Sequence, residues 1–393
     1  MSGYLYEVLE RLIAFDTVSS HSDISAMEYL ADHLDRHGLK TALHKSEIAR
    51  VAQANLVAWA GPPVADGLII SGHLDTVPFE GQPGWNRDPL RMETADDRIF
   101  GRGTTDMKGF LAQCVETARN LDQTRLRRPV VFIFTASEEI GGLGAQRVTP
   151  ELPHLLGDVP CPKLAWIGEP TSYAIHAAHK SAVTVEIKIR GRGGHSGAPQ
   201  QGVNAIAVAG KVIDVVGRLQ EERRATRSAE FAAMFPDSPF DVLNFGTVAG
   251  GIADNVIAEQ CTLKMSYRSL PGTDPVALRD EIARRCAALE TYDYASRNHR
   301  ATIEVGPARV MPAMGSTRGT RLEQVLLETT GATEVLGAPF CTDGGWFADA
   351  GISSLICGPG EYAQAHQPNE SIPRIALERG TSMILQVIDR LCC

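Results

Sequence analysis

Residues 130–142 read VVFIFTASEEIGG, an apolar run that ends in two adjacent glutamates, Glu138 and Glu139. Adjacent carboxylates repel when both are ionised, and apolar surroundings raise that cost. A nearby cation or a shared proton is then needed to hold them together. An exposed loop in which water solvates both charges is the simpler interpretation of the pair alone. The rest of the chain has to decide between these two interpretations.

Three further apolar runs have the same form, and each is short. They are GLIIS (67–71), KLAWI (163–167) and SSLIC (353–357). Runs that are apolar on both faces are typical of central strands in a largely parallel sheet covered by helices. Helical patterns precede them, one from Tyr4 to Ile13 and one that starts with a predicted capping box at Ser25–Glu28. We therefore predict an α/β domain with a mostly parallel sheet.

The hydrophobic period changes after Lys180. The stretch SAVTVEIKIR alternates strictly between apolar and polar residues, which indicates a half-exposed strand of an antiparallel sheet. The predicted elements that follow are a helix (203–219), strands (242–248 and 261–267), a helix (275–289) and a strand (301–305). This is a separate β-α-β-β-α-β unit of the α+β type. We predict that residues 180–308 are inserted into a discontinuous α/β domain formed by residues 1–179 and 309–393.

Composition excludes several classes of protein. The chain has 393 residues, 44% of them hydrophobic and 22% charged, as expected for a soluble globular protein of more than one domain. The net charge of -9, without a basic run, argues against a nucleic-acid partner. Neither a membrane span nor a secretion signal is indicated. Eight cysteines without CxxC spacing predict reduced thiols, so we expect a cytoplasmic protein.

Ionisable residues follow each apolar run. His73 and Asp75 come after GLIIS, and Glu169 comes after KLAWI. His366 follows SSLIC at a short distance. Because ligands bind beyond the carboxyl ends of the strands in open α/β sheets, these segments are expected to meet the glutamate pair at one place. Asp106, in GRGTTDMKGF, immediately precedes a helical pattern and is a further candidate.

Two histidines and three or more carboxylates without cysteine favour a divalent metal, zinc above all, with cobalt or manganese as substitutes. Five ligands are too many for one tetrahedral zinc with an open position, but they suit two metals that share one carboxylate. One glutamate of the pair can then bind metal while the other moves protons. Nucleotide binding is disfavoured, because Gly101-x-Gly103 lacks the third glycine of a dinucleotide fingerprint and follows no buried strand.

Seven stretches, in order along the chain, resemble the M20 family of metal-dependent amidohydrolases and peptidases, and most closely its acetylornithine deacetylase branch. They are SGHLDTVP, GRGTTDMKG, ASEEIGG, IGEPT, GRGGHSGAPQQGVNAI, GGIADNVIAEQCTLKMSYR and CGPGEYAQAHQPNE, between positions 71 and 370. The resemblance implies a zinc hydrolase whose catalytic domain carries an inserted lid and dimerisation domain. It also implies removal of the acyl group from an N-acyl amino acid, above all acetate from N2-acetyl-L-ornithine in arginine biosynthesis.

The resemblance implies two zinc ions per subunit. One ion is expected to be held by His73, Asp106 and Glu169, and the other by Asp106, Glu139 and His366. Asp106 would therefore bridge the two metals.

Further roles are implied for residues that do not bind metal. Glu138 would be the general base, and Asp75 would fix the orientation of an imidazole ligand through its carboxylate. His195, in the insert, would reach the active site of a partner subunit in a homodimer and stabilise the oxyanion. Asn255 and Arg268 would hold the substrate, with Arg268 binding an α-carboxylate.

One departure from the family pattern concerns the surroundings of the ligands: Ser137 stands where the family often has aspartate, which leaves the ligands and the base intact. The segment PFCTDGGWF (339–347) resembles a substrate-side loop that varies among branches, so the substrate stays open. The alternatives within the same chemistry are succinyl-diaminopimelate desuccinylase, a general N-acyl-amino-acid amidohydrolase and a carboxypeptidase. An amino-acid binding or structural protein without catalysis is the alternative from another class, although every predicted ligand and the predicted base are present.

Overall fold

The computed structural model describes residues 3–291 and 299–393. Contacts between Cα atoms divide the chain into two units. The first unit is Met1–His179 together with Met314–Cys393, and the second is Lys180–Ala313. The first unit is therefore discontinuous in sequence.

The first segment contains five α-helices, a β-hairpin and the strands that carry most of the predicted site. Its helices are α1 (Gly3–Ala14), α2 (Ile24–Arg36), α3 (Gly109–Asn120), α4 (Leu143–Val148) and α5 (Leu152–Leu155). Its strands are β1 (Lys40–Ile48), β2 (Val51–Ala60), β3 (Leu68–His73), β4 (Glu93–Ala95), β5 (Arg98–Phe100), β6 (Val130–Thr135), β7 (Leu164–Ile167) and β8 (Ile175–His179). The turn Thr104–Lys108, in which Asp106 and Met107 have non-helical backbone angles, leads directly into α3.

The middle segment forms the second unit. Its strands are β9 (Ala182–Arg190), β10 (Gly194–His195), β11 (Val242–Gly250), β12 (Val256–Ile257), β13 (Gln260–Arg268), β14 (Thr302–Val305) and β15 (Arg309–Met311). Its α-helices are α6 (Ala205–Ala225) and α7 (Pro275–Ala287).

The last segment returns to the first unit. Its strands are β16 (Met314–Gly315), β17 (Val335–Ala338), β18 (Ser353–Ile356) and β19 (Ser371–Pro373). Its helices are α8 (Arg321–Thr330), α9 (Gly344–Asp349) and α10 (Arg374–Cys392).

The main sheet of the first unit has nine strands, in the order β1-β2-β6-β3-β7-β18-β8-β16, with β17 also paired to β8. Its centre is parallel, since β3 pairs in parallel with both β6 and β7, and β18 pairs in parallel with β7. Every residue of β3 and β6 is buried. The four apolar runs of the sequence are the four adjacent strands β6, β3, β7 and β18, so the predicted parallel sheet is confirmed.

The second unit is built on a separate antiparallel sheet in the order β11-β13-β9-β14, with β15 also paired to β9. Alternate residues of β9 are buried, namely Val183, Val185, Ile187 and Ile189. Their side chains form a core with α6 and α7. This unit runs to Ala313 and includes β15, whereas the predicted insert was residues 180–308.

Two general properties follow from the described part of the chain. None of its helices combines the length and the apolar character needed to cross a membrane. All eight cysteines are free thiols, and Cys114, Cys261, Cys286, Cys357 and Cys392 are buried.

Candidate metal centre and active site

The candidate site lies where the central strands of the main sheet end. His73 is the last residue of β3, the glutamate pair follows β6, and Glu169 follows β7. Because β6, β3 and β7 are adjacent and parallel, their carboxyl ends lie at one edge of the sheet. The strand order thus brings together residues that are far apart in the sequence.

Asp106 is at the centre of this group. One of its carboxylate oxygens is 3.0 Å from Nε2 of His73, and the other is 3.3 Å from Nε2 of His366. His366 Nε2 is also 3.0 Å from a carboxylate oxygen of Glu139, and His73 Nε2 is 3.8 Å from one of Glu169. The structure therefore brings all five predicted ligands together around a single carboxylate.

The donor set fits a divalent metal. One ligand atom each from His73, Asp106 and Glu139 lie within 4.8 Å of one another. Nδ1 of His73 is 2.9 Å from the backbone carbonyl oxygen of Asp75, to which it donates as N–H, so Nε2 is left to bind a metal. Imidazole nitrogen and carboxylate oxygen without thiolate are the donors that suit zinc and neighbouring divalent ions.

Asp75 contacts the site differently from the sequence prediction. Its carboxylate is 3.6 Å from Nδ1 of His73, too far for a hydrogen bond, and the imidazole bonds the backbone carbonyl instead. The carboxylate accepts from the backbone N–H groups of Glu138, at 2.9 Å, and Glu139, at 3.2 Å. It also accepts from the hydroxyl of Ser19 at 2.6 Å. Asp75 therefore holds the glutamate turn as well as the histidine.

The electrostatics of the site favour a bound cation. Burial raises the pKa of Glu138 well above its ordinary value, with His73 opposing this rise and Glu169 adding to it. Burial likewise raises the pKa of Glu169 and of Glu139. Burial acts in the same direction on Asp106, but hydrogen bonds from His366 and His73 hold its pKa below the ordinary value. A dication would stabilise all of these carboxylates in the ionised state.

Metal uptake by these residues is expected to release protons. Hydrogen bonds to Asp106 and Glu139 raise the pKa of His366 to about 10, so the ring is protonated at neutral pH without a metal. Zinc binds only the unprotonated ring, and apparent zinc affinity should therefore fall as the pH is lowered through the neutral range. Calorimetric titration with zinc in two buffers of different ionisation enthalpy measures the release. His154 is exposed, so His154→Ala is the control and should release as many protons as wild type. Identical heats for wild type in both buffers would contradict the expectation.

The remaining predicted residues lie in the second unit. His195 is exposed in β10, and its Nδ1 accepts from the backbone N–H of Gly197 at 3.0 Å. Asn255 is exposed, and its backbone carbonyl accepts from Ser196 N–H at 3.1 Å. Arg268 is exposed at the end of β13. Their roles toward a substrate stay predictions.

Two further carboxylates of the first unit, those of Asp343 and Glu370, had no predicted role. Asp343, within the quoted segment 339–347, is buried and accepts from the Thr135 hydroxyl at 2.5 Å. Burial raises the pKa of Asp343 to about 6, and Asp343 in turn adds to the rise for Glu138. Glu370 closes the quoted stretch around His366 and is equally buried. The only feature of the sequence that pointed to Glu370 was its position in the stretch CGPGEYAQAHQPNE, which resembles the family.

This fold and donor set are those of a metallopeptidase-like hydrolase. The chain belongs to Peptidase family M20/M25/M40, whose sequence profile matches residues 69–390. It is a hydrolase that acts on amide bonds.

Curated relatives and solved structures agree with this assignment. The chain is 34% identical to the acetylornithine deacetylase of Klebsiella pneumoniae (strain 342) over 86% of its own length and 83% of the relative's. It is 32% identical to that of Shigella sonnei (strain Ss046) over 98% and 97% of the two lengths.

Two solved structures share the fold at low sequence identity. The M20 family metallo-carboxypeptidase Sso-CP2 of Sulfolobus solfataricus has a TM-score of 0.76 at 16% identity, covering 100% of this chain and 99% of its own. The YXEP protein of Bacillus subtilis, described as a dinuclear metal binding peptidase of the M20 family, has a TM-score of 0.67 at 16% identity, covering 98% and 96%.

Proposed function

We propose that this protein removes the acyl group from an N-acyl amino acid and that its substrate is N2-acetyl-L-ornithine, which places it in arginine biosynthesis in the cytoplasm. The observation that carries the hydrolytic part is the convergence of His73, His366 and the carboxylates on Asp106. The relatives named acetylornithine deacetylase, at 34% and 32% identity, support the choice of substrate.

Two zinc ions are proposed for each subunit, with cobalt or manganese as substitutes. His73, Asp106 and Glu169 would hold one ion, and Asp106, Glu139 and His366 would hold the other. When bound, such ions polarise an amide carbonyl and lower the pKa of water. A bound dication would offset the burial and the mutual repulsion that raise the pKa of Glu138, Glu139 and Glu169.

Glu138 is proposed as the general base. It takes a proton from the attacking water and later delivers it to the leaving amine. The bonds from the backbone N–H groups of the glutamate pair to Asp75 fix the turn. In that turn a carboxylate oxygen of Glu139 lies 3.0 Å from Nε2 of His366. The neighbouring carboxylate of Glu138 is proposed for proton transfer.

Substrate binding is proposed for the second unit. Arg268 offers a planar pair of donors that suits an α-carboxylate, with Asn255 beside the substrate. A homodimer is proposed as well, in which His195 of the partner subunit donates to the developing oxyanion.

A panel of four substrates tests the proposed specificity. We expect kcat/KM to be highest for N2-acetyl-L-ornithine, ahead of N-succinyl-diaminopimelate and N-acetyl-methionine. N-acetylputrescine lacks the α-carboxylate, so its kcat/KM should be about 100-fold or more below that of acetylornithine. In Arg268→Ala the ratio of these two kcat/KM values should shrink toward one. If another compound leads the panel, the proposed substrate is wrong while the amidohydrolase chemistry stands.

A further inference from the structure

Glu370 is a buried carboxylate that holds the loop carrying Asp106 at four points. One of its oxygens accepts from the backbone N–H groups of Thr105, at 2.9 Å, and Asp106, at 3.0 Å. The other accepts from the backbone N–H of Gly103, at 3.0 Å, and from the guanidinium of Arg102, at 2.9 Å. A carboxylate with four donors is strongly fixed, and so is the backbone of Asp106 that it binds.

The same contacts continue to the backbone of His366. Arg102 is 1% exposed and also donates to the side-chain carbonyl of Gln82 at 2.7 Å. Gln82 in turn donates through its amide nitrogen to the backbone carbonyl of His366 at 2.7 Å. His366 has a φ of 61°, in the left-handed region that non-glycine residues rarely adopt. A residue in that conformation needs support from its surroundings.

We propose that Glu370, Arg102 and Gln82 form a clamp of positioning residues that sets the metal affinity of the centre made by Asp106, Glu139 and His366. The inference rests on the two-metal site proposed above. None of the three clamp residues is among the proposed ligands, so they act through the backbone of Asp106 and His366.

The two metal centres differ in how firmly their ligands are anchored. His73 belongs to a fully buried strand, and Glu169 follows β7 closely. His366 instead lies on a loop, and half of its side chain is exposed. The clamp should therefore matter most for the metal that His366 binds.

A matched control exists in the same unit. Glu323 is also a buried glutamate, accepting from the Arg318 guanidinium at 2.9 and 3.1 Å and from the backbone N–H of Gly319 at 3.2 Å. Neither Arg318 nor Gly319 is a proposed metal ligand. Replacing Glu323 with glutamine removes the charge of a buried glutamate and its ion pair with the exposed Arg318, without touching the clamp.

The test compares wild type, Glu370→Gln, Gln82→Ala and Glu323→Gln as full chains loaded with zinc. Zinc content is measured after equilibration with a series of chelator-buffered free zinc concentrations. In Glu370→Gln the more weakly held zinc should be lost at free zinc concentrations about 10–100-fold higher than in wild type. Gln82 is half-buried. In Gln82→Ala the free zinc concentration at which zinc is lost should rise by a smaller factor. In Glu323→Gln it should equal the wild-type value.

The outcomes separate the clamp from the metal site itself. If wild type binds two zinc ions and both Glu370→Gln and Gln82→Ala bind them with unchanged affinity, the clamp is overturned while the proposed function stands. If wild type binds fewer than two, the two-metal site is wrong, and the clamp falls with it. A Glu323→Gln variant that loses zinc equally would show a general stability effect and also overturns the clamp. Should Glu370→Gln fail to fold, Gln82→Ala decides.

Discussion

Replacement of Glu138 by glutamine is expected to slow amide hydrolysis by about 100-fold or more while the zinc content stays at the wild-type value. Glutamine has almost the same shape but cannot accept the proton of the attacking water. The metal ligands are untouched, since Glu138 is not among the proposed five. Measurement of kcat on N2-acetyl-L-ornithine, with zinc quantified in the same samples, tests both parts of the expectation.

The exposed Glu151 provides the control variant Glu151→Gln, which should keep wild-type kcat and zinc content. A Glu138→Gln variant with full activity would remove Glu138 from the proton-transfer role. A variant that has lost its zinc would instead identify Glu138 as part of the metal site.

The same variant should be more stable than wild type when zinc is removed. Burial raises the pKa of Glu138 above its ordinary 4.5, so the folded protein holds this proton more tightly than the unfolded chain does. The stability associated with the group is complete below 4.5 and is lost as the pH rises toward the folded-state pKa. Glutamine carries no such dependence. Thermal unfolding of zinc-free protein at pH 8 should therefore give a higher Tm for Glu138→Gln than for wild type.

The main sheet was predictable because its central strands are buried on both faces. Runs such as VVFIF contain no polar position that water has to reach, which is typical of central strands in a largely parallel sheet. Because the carboxyl ends of parallel strands lie at one edge of a sheet, His73 and the glutamate pair are predicted to meet there. That much of the site needs only strand order and the direction of the chain.

The hairpin formed by β1 and β2 was missed because polar residues interrupt its buried run. Gln53 and Asn55 are buried in β2, where Gln53 donates to the backbone carbonyl of Ser19 and Asn55 accepts from the backbone N–H of Ala136. Such residues look like surface positions until their partners in distant loops are known. Local pattern cannot show those partners.

The capping box predicted at Ser25–Glu28 is wrong for a similar reason. Helix α2 begins at Ile24, with Asp23 at its N-cap and no side-chain cap bond. The Asp23 carboxylate instead accepts from the backbone N–H of Ala54 at 2.9 Å. A tertiary contact has thus taken the place of a local one. The contacts of Glu370 could not be predicted from the sequence for the same reason. They join it to Arg102 and Asp106, which lie 268 and 264 positions away.

Replacement of Asp106 by asparagine is expected to have the largest effect of all. The carboxylate of Asp106 is the group that both histidines reach, at 3.0 Å for His73 and 3.3 Å for His366. Asparagine replaces the charged, shared carboxylate by one neutral carbonyl oxygen, which weakens both proposed metal centres at once, whereas changing either histidine affects only one. Metal-assisted stabilisation is worth several kcal/mol, so activity should fall on the order of 1,000-fold or more.

Zinc content after dialysis distinguishes a shared ligand from an ordinary one. Asp106→Asn should retain less zinc than either His73→Ala or His366→Ala, and excess zinc should not restore kcat. Asp35→Asn, at an exposed position on α2, is the control and should behave like wild type. If Asp106→Asn holds as much zinc as His366→Ala, the carboxylate serves one metal only. Because the two histidines contact different oxygens of this one carboxylate, a shared ligand is the arrangement that the geometry supports.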